Sequence, residues 1–382
     1  MKGYKMLKAD MTTMYGSMTY EVGKTYKLER KIIPCKQGFH FCEELTDCLH
    51  FYDNINNDKR FFEIETGDNI VKCNDKYVTD KIILIRELSL DEVFEYIREN
   101  KNKVKWDVVS KHLKLSEDFI REFQDKVDWD SISIHQKLSE DFIREFKDKI
   151  DWDYISCYQK LSEDFIREFQ DRFDWTDISI CQELSEDFIR EFADRVDWYY
   201  ISNYQKLSEE LIREFKDELN WTCVSIKQKL SENLIREFAD KIDWFYISVK
   251  QKLSEGLIRE FKDDVSWTGI SIHQELSEDF IREFKDRVVL HHISTHQKLS
   301  EDFIREFQDK VDWDSISIHQ KLSEDFIREF EDRVEWFYIS VNQKLSEDFI
   351  REFEDRVNWG CLSEYQELSE EFKQEFKNRL SL

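Results

Sequence analysis

One motif, Leu-Ser-Glu, recurs at a constant spacing of 23 residues through three quarters of the chain, with no insertion or deletion. Self-similarity at a fixed period of roughly 20–50 residues is typical of solenoids, whose units fold only by stacking on one another. The repeat therefore predicts a solenoid, an architecture that often serves as a binding surface. The motif begins at twelve leucines: Leu115, Leu138, Leu161, Leu184, Leu207, Leu230, Leu253, Leu276, Leu299, Leu322, Leu345 and Leu368.

Each copy has the pattern of two short helices joined by a turn. In the copy Leu115–Lys137, Ser116 precedes two acidic residues, as at a capped helix N-terminus. The apolar residues Leu115, Phe119, Ile120, Phe123 and Val127 have helical spacing and predict a first helix of about three turns. Asp128 is expected to cap a second helix of about two turns, one face of which carries Trp129, Ile132, Ser133 and Gln136.

Some side chains keep their identity in every copy. Ser116, Glu117, Glu122 and Phe123 recur in all twelve copies, and the residues aligned with Ser133 and Gln136 recur in the eleven complete ones. A glutamine on a packed face needs hydrogen-bond partners, so we predict that its amide bonds to the next unit and forms a ladder along the array. The small serine is expected to permit close approach of the helices.

The period and the charge both change near residue 88, which predicts the domain boundaries. Residues 1–87 are expected to form a small, β-rich α/β head domain, and residues 88–114 a pair of N-terminal capping helices. Residues 115–367 form the array of two-helix repeats. Residues 368–382 form a C-terminal capping repeat, in which the polar Lys373 and Gln374 interrupt the consensus.

The composition argues against nucleic-acid and membrane partners. The net charge is −26, and all of this excess falls after residue 87, because the head carries equal numbers of acidic and basic side chains. An acidic array repels phosphate backbones. Met1–Asp10 lacks the apolar segment of a signal peptide, and no apolar run is long enough to span a membrane. We therefore expect protein partners.

The cysteines predict reduced thiols in a cytosol-like compartment. They are irregularly spaced and dilute in a long chain, unlike a disulfide framework. The eight are Cys35, Cys42, Cys48, Cys73, Cys157, Cys181, Cys223 and Cys361.

Variation between the copies is concentrated on one face of the second helix, which we call the variable face. It consists of four columns of residues, aligned with Asp130, Ser131, Ile134 and His135. Two interpretations remain open: the face drifts freely or packs on neighbouring units, or it is a partner-binding surface rich in rigid aromatic side chains. The candidate binding residues are Tyr154, Tyr158, Tyr199, Tyr200, Tyr204, Phe245, Tyr246, His291, His292, Phe337, Tyr338 and Tyr365.

The head has strand-like segments and one segment of helical spacing, Glu43–Tyr52. Gly38–Cys42 is a short apolar run. The predicted strands are Met18–Val22, Lys24–Glu29, Phe61–Glu65, Asn69–Cys73 and Lys81–Glu87.

Part of the head resembles an uncharacterised domain of phage and giant-virus proteins. The resemblance rests on Tyr20–Tyr26, Cys35, Gly38–Glu43, and Phe62–Glu65 with Gly67. The repeats resemble arrays encoded by mimivirus-like giant viruses. Together these resemblances imply a viral protein that acts in the cytoplasm of an infected host cell or in the virion, and they imply no particular chemistry.

Zinc binding and catalysis are two alternatives for the head, and the sequence favours neither. The candidate ligands of a zinc site are Cys35, His40, Cys42, Cys48, His50 and Cys73. Their spacing lacks the C-x₂-C pair of a zinc knuckle. The order of elements weakly resembles ADP-ribosyltransferase-like folds, for which Tyr20, His40 and Glu65 are the polar candidates. In the array, His273, His296 and His319 share one column, but stacked helices hold them too far apart for a common metal. No cofactor, metal or catalytic residue is predicted.

The sequence thus predicts an α-helical solenoid of two-helix repeats preceded by a small β-rich α/β domain. The predicted function is a non-enzymatic protein-protein interaction scaffold that contacts its partner through the variable face. One alternative is an adaptor with an enzymatic, ADP-ribosyltransferase-like head and a substrate-selecting array. The other is a structural spacer or assembly protein of a virus particle.

Overall fold

The computed structural model describes residues 1–13, 18–29, 31–33, 37–51, 59–73 and 76–380. The chain divides into two compact units, Met1–Val196 and Asp197–Leu382. The first unit contains the head and the beginning of the array, and the second contains the rest of the array.

The described part of the head contains two antiparallel sheets. The strands are β1 (Lys2–Leu7), β2 (Thr25–Lys27), β3 (Phe39–Phe41), β4 (Arg60–Thr66), β5 (Ile70–Cys73), β6 (Lys76–Thr79) and β7 (Lys81–Leu88). One sheet has the order β1-β4-β7-β2 and the other β3-β6-β5. A bridge between Tyr4 and Cys42 joins β1 to the end of β3. Buried apolar side chains from both sheets form the core, including Leu7, Tyr20, Phe39, Phe41, Phe62, Ile64, Ile82 and Leu84.

The predicted strands of the head are partly confirmed. Strands β2, β4, β5 and β7 lie within or around the predicted segments, and the Gly38–Cys42 run contains β3. The prediction for Met18–Val22 was wrong, because the Tyr20 N–H bonds to the Met11 carbonyl rather than to a sheet. Strands β1 and β6 were missed. The segment predicted to be helical is a 3₁₀ helix over Leu45–Phe51, and its predicted end, Tyr52, lies outside the described residues.

After β7 the chain is helical. In the first unit, α1 (Leu90–Glu99) and α2 (Trp106–His112) precede the first consensus repeat. The repeats of this unit supply α3 (Glu117–Glu122), α4 (Trp129–His135), α5 (Glu140–Glu145), α6 (Trp152–Tyr158), α7 (Glu163–Glu168), α8 (Trp175–Cys181) and α9 (Glu186–Glu191).

The second unit continues the same alternation of short helices. They are α10 (Trp198–Tyr204), α11 (Glu209–Glu214), α12 (Trp221–Lys227), α13 (Glu232–Glu237), α14 (Trp244–Lys250), α15 (Glu255–Glu260), α16 (Trp267–His273), α17 (Glu278–Glu283), α18 (Leu290–His296), α19 (Glu301–Glu306), α20 (Trp313–His319), α21 (Glu324–Glu329), α22 (Trp336–Asn342), α23 (Glu347–Glu352), α24 (Trp359–Tyr365) and α25 (Glu370–Glu375). This regular array confirms the predicted helical-repeat solenoid behind a β-rich N-terminal region.

The first helix of each repeat is shorter than predicted. Ser116 caps α3 by accepting a hydrogen bond from the Phe119 N–H. The helix ends at Glu122, because Phe123 adopts φ −117° and ψ 29° and leaves the helical conformation. The N–H groups of Lys126 and Val127 then both bond to the Phe123 carbonyl in a turn. The apolar stripe therefore continues over a helix followed by a turn, and its spacing does not separate this arrangement from a three-turn helix.

The expectation of reduced cysteines was wrong for at least three of them. Cys157 and Cys181 form a disulfide between α6 and α8, with their Cα atoms 5.1 Å apart. Cys73 is also disulfide-bonded. The spacing of Cys157 and Cys181 is one repeat plus one residue, which places them on neighbouring second helices. Cys42, Cys48, Cys223 and Cys361 are free and buried.

The helices of the array are short. Within the described ranges, none is long and apolar enough to cross a membrane.

Candidate interaction surface

The recurring glutamine joins adjacent repeats through two hydrogen bonds and makes a third within its own repeat. The Nε2 of Gln320 donates to the carbonyls of Ser294 and Gln297, at 2.9 and 2.8 Å. Its Oε1 accepts from the Leu299 N–H at 3.0 Å. The side chain is buried, and it satisfies groups that the short helices leave unpaired. The predicted ladder is confirmed, although each glutamine reaches back to the preceding repeat rather than forward to the next one.

The recurring serine of the second helix also carries hydrogen bonds between repeats, beyond its predicted role in close packing. Ser317 is fully buried. Its Oγ donates to the Trp313 carbonyl at 2.7 Å and accepts from the Glu335 N–H, in the next repeat, at 3.0 Å. The hydroxyl therefore holds the start of one second helix against the previous one.

The recurring charged residues of the first helix form a second set of links. The Oε1 of Glu301 accepts from the Ser323 N–H of the next repeat at 2.7 Å. The guanidinium of Arg305 pairs with Glu329 of the next repeat at 2.7 Å and lies over the Phe326 ring. The aromatic residues that recur also pack between repeats, since the rings of Trp313 and Phe330 are 5.0 Å apart.

The aromatic side chains of the variable face remain largely exposed to solvent. In the first unit, Tyr154 and Tyr158 lie on α6 with their rings 6.3 Å apart. In the second unit the exposed fractions lie between 51% and 57%, so about half of each side chain is available for contact; these residues are Tyr199, Tyr204, Phe245, Phe337 and Tyr365. His291 is exposed as well, whereas Tyr200, Tyr246, Tyr338 and His292 are partly buried.

The partly buried rings support the exposed ones on the same helix. Adjacent rings lie 5.1 Å apart in Tyr199–Tyr200 and 5.3 Å apart in both Phe245–Tyr246 and Phe337–Tyr338. The planes of the two rings in each pair are nearly perpendicular, a favourable arrangement for aromatic rings. Each of these second helices therefore presents an exposed ring fixed from one side by its neighbour. The structure distributes the candidate residues along the array in pairs and does not gather them into one pocket.

The variable face of the second unit carries almost no net charge. Its four columns contain two lysines, Lys227 and Lys250, and two acids, Asp314 and Glu364. Histidines occupy five further positions: His273, His291, His292, His296 and His319. His291 Nδ1 lies 2.9 Å from Asp312 Oδ2. Burial opposes ionisation of Asp312, but hydrogen bonds from Ser315 and His291 outweigh it and lower the pKa of this carboxyl.

The structure does not bring the zinc candidates of the head together. Cys35 lies outside the described residues, and Cys73 is disulfide-bonded. His50 is exposed on the 3₁₀ helix. Cys42 and Cys48 are in contact, and burial, followed by that contact, raises the pKa of the Cys48 thiol. Across the described part of the chain, no three His, Cys, Asp or Glu side chains are grouped so that they could hold a metal ion.

The catalytic candidates of the head are not gathered into one site. Glu65 is exposed on β4, three residues beyond the buried Phe62, so the two side chains point to opposite faces of the sheet. Tyr20 is buried in the core. His40 is near a residue that the sequence did not single out, Lys5, whose Nζ donates to the His40 carbonyl at 2.7 Å and lies 5.1 Å from the Tyr20 ring.

The Lys5–His40 pair is unusual because both groups are removed from water. Lys5 is 5% exposed, and burial lowers the pKa of its ammonium to about 8. Burial, and then the charges of Lys76 and Lys5, lower the pKa of His40 to about 4. The His40 Nε2 is buried and has no hydrogen-bond partner. Nothing in the sequence pointed to this pair, because a lysine in a strand is normally expected at the surface.

A cavity of about 530 Å³ lies in the first unit between α1 and the start of α3. Its lining mixes the rings of Phe94 and Phe119 with charged residues such as Glu95, Arg98 and Lys114. Arg98 is already paired with Glu122 at 3.0 Å. The lining contains no cysteine or histidine, so it offers neither a thiol nucleophile nor an imidazole base.

Comparison with known proteins identifies only the N-terminal region. Residues 1–98 match a family described as a domain of unknown function, DUF7666. The match includes most of α1 and covers 98 of the 382 residues, so it carries no information about the repeats. No curated protein and no solved structure shows significant similarity to the chain. The viral origin implied by the resemblance stays a prediction, and the N-terminal match is to a domain of unknown function.

Proposed function

We propose that this protein is a non-enzymatic protein-interaction scaffold whose variable face contacts the partner. One observation supports this most strongly. Among the described residues beyond Leu90, every large apolar side chain that is prominently exposed is an aromatic residue on the variable face: Tyr154, Tyr158, Tyr199, Tyr204, Phe245, Phe337 and Tyr365. Exposed aromatic residues clustered on one face are typical of interaction sites.

The contrast with the rest of the array strengthens this interpretation. The side chains that recur in every copy hold neighbouring repeats together, as Gln320, Ser317 and Arg305 do. The exposed positions of the variable columns carry no such recurring link, which fits their change of residue from copy to copy. Tyrosine and phenylalanine present a large contact area with only two rotatable side-chain bonds, which limits the entropy lost on binding.

The charge distribution favours a protein partner over a nucleic acid. The first helices expose acidic side chains in every repeat; Asp279, Asp302 and Asp325 are more than 90% exposed. These groups repel a phosphate backbone. The near-neutral variable face of the second unit instead suits an apolar or aromatic protein surface. The cytoplasm of an infected host cell or the virion, as the resemblance implies, is the proposed location.

The proposal is tested by selecting ligands from a displayed random peptide library on the full-length chain. The test variant combines Tyr199→Ser, Tyr204→Ser and Phe245→Ser. The control combines Asp279→Ser, Asp302→Ser and Asp325→Ser, which makes the same number of exposed changes on first helices of the same unit. Selected ligands should bind the control with unchanged affinity and the test variant at least tenfold more weakly, which corresponds to about 1.4 kcal/mol. Equal loss on both variants, or full binding to the test variant, would overturn the proposal.

A further inference from the structure

The variable face of the second unit has a second period, twice that of the repeat. In the Asp130 column of the second unit, a ring alternates with a short side chain in every step: Tyr199, Thr222, Phe245, Thr268, His291, Asp314, Phe337 and Gly360. The Ser131 column alternates in phase with it: Tyr200, Cys223, Tyr246, Gly269, His292, Ser315, Tyr338 and Cys361. The structural unit of this face is therefore a pair of repeats.

Packing between neighbouring second helices explains the alternation in the Ser131 column. The short residue of one helix lies against the residues of the preceding ring-bearing helix. A Cβ built on Gly269 would lie 3.0 Å from the Val249 Cγ2. Thr295 Oγ1 and Ser315 Oγ are 3.0 Å apart. The Ile134 column carries isoleucine on three of the four helices that have the short residues (Ile226, Ile272 and Ile318) and Glu364 on the fourth.

The alternation leaves a regular row of projections and gaps at the surface. The projections Tyr199, Phe245 and Phe337 are 51–57% exposed, and the His291 side chain is 61% exposed. The intervening Thr222, Thr268, Asp314 and Gly360 are also exposed but short. Packed helices lie roughly 8–10 Å apart, so successive rings are separated by roughly 16–20 Å. Each gap is one helix wide and can admit a ring.

We propose that this face of the second unit docks onto the same face of a second copy of the chain. When the second copy runs in the opposite direction, every ring of one copy lies opposite a gap of the other. Tyr199 meets Gly360, Thr222 meets Phe337, Phe245 meets Asp314 and Thr268 meets His291. A surface that is complementary to its own reverse is what a two-fold symmetric dimer requires.

Charge and area are compatible with this partner. The two lysines and two acids of the face balance, so two copies are not repelled there despite the net charge of −26 on each chain. The acidic first helices stay outside the contact. The five half-exposed aromatic side chains offer roughly 400–600 Å² in each copy, taking half of the area that such side chains bury in cores. A standard interface buries about 800 Å² per partner, so the rings supply roughly half to three quarters of that area.

The test is the mass of the full-length protein in solution, measured by sedimentation equilibrium across a wide micromolar range. The wild type should form a dimer. Phe245→Ser combined with Phe337→Ser removes two projections and should weaken dimerisation at least tenfold. Thr222→Phe combined with Thr268→Phe fills two gaps and should weaken it similarly, although it adds apolar surface. Asp279→Ser combined with Asp302→Ser is the control and should leave the dimer unchanged.

The gap-filling variant separates shape complementarity from general stickiness. If it dimerises as tightly as the wild type or more tightly, the proposed docking is wrong, and a wild-type monomer at every concentration overturns it too. All variants change exposed residues, and melting followed by circular dichroism checks their folding. The inference rests on the proposed function but fails separately: a monomer that still loses peptide ligands on Tyr199→Ser, Tyr204→Ser and Phe245→Ser refutes the dimer alone. A monomer that keeps those ligands refutes both.

Discussion

The interiors of the array and of the head treat buried polar groups in opposite ways. In the array, the buried Gln320 has hydrogen bonds on both ends of its amide, and neither it nor Ser317 titrates. In the head, Lys5 is buried as a titratable group and the His40 Nε2 lacks a partner. Each satisfied group recurs along the array, whereas the Lys5–His40 pair occurs once. The stability of the array should therefore depend on packing and on the hydrogen bonds of the glutamine side chains. The stability of the head should also depend on pH.

The largest expected effect is the loss of a core ring from the array. Phe326→Ala should destabilise the second unit by about 3–5 kcal/mol, because the side chain is fully buried and leaves a cavity. Phe337→Ala, the same change on an exposed residue of the next helix, is the control and should cost much less. Urea unfolding followed by tryptophan fluorescence measures both. Equal losses would mean that the variable face is part of the core.

Removal of one ladder glutamine should have the next largest effect. Gln320→Ala leaves the Leu299 N–H and the carbonyls of Ser294 and Gln297 without their partner. A hydrogen bond contributes about 0.5–1.5 kcal/mol net, so the loss of three should cost about 2–4 kcal/mol in total. His319→Ala, at the adjacent exposed position, is the matched control. The same urea titration measures the free energy of unfolding of both variants. A loss no greater than that of the control would show that the ladder is not stabilising.

Acid should weaken the head through His40 before it weakens the array. The folded head keeps His40 neutral down to about pH 4, whereas the unfolded chain takes up the proton near 6.5. The unfolded state therefore binds more protons between these values, and stability falls as the pH falls through this window. Hydrogen exchange of amides in β1 and β3 of the full chain should show this loss. His40→Gln should flatten the dependence, and His319→Gln should leave it unchanged; an unaltered slope in His40→Gln would contradict the assignment.

The smallest effect is expected for the ion pairs of the first helices. Arg305 and Glu329 are both substantially exposed, and such pairs contribute little because water and salt screen them. Arg305→Gln should therefore lower the melting temperature less than Gln320→Ala does. The difference from wild type should shrink further at about 1 M salt, where the Debye length is roughly 3 Å. A salt-independent loss would instead point to packing of Arg305 on the Phe326 ring.

The array could be predicted from the sequence because its twelve copies can be compared with one another. The recurrence of Ser116 and Gln136 indicated a cap and a ladder, and both are confirmed. Side-chain spacing could not reveal that the backbone of Phe123 ends the first helix, since a helix and a turn bury the same stripe. The direction of the glutamine bonds and the hydroxyl links of Ser133 also depend on how the repeats stack.

The head offered no such comparison. Strand β1 was missed because the buried Lys5 interrupts the apolar pattern, and β6 is only four residues long. The Met18–Val22 segment has strand-forming residues, but its backbone bonds to a neighbouring loop instead. The exposed aromatic residues of the variable face were predicted as candidates, whereas the two-repeat alternation within it depends on packing between helices.

The most direct test of binding through the variable face is hydroxyl-radical footprinting of the full-length chain with and without a ligand selected from the peptide library, at a concentration low enough for the chain to be monomeric. It reports the solvent exposure of individual side chains in the intact protein. Binding through the variable face should protect Tyr199, Tyr204, Phe245 and Phe337, with no change at the first helices of the same unit. Protection confined to residues 1–98 or to the first helices, with these four rings unaffected, would contradict it.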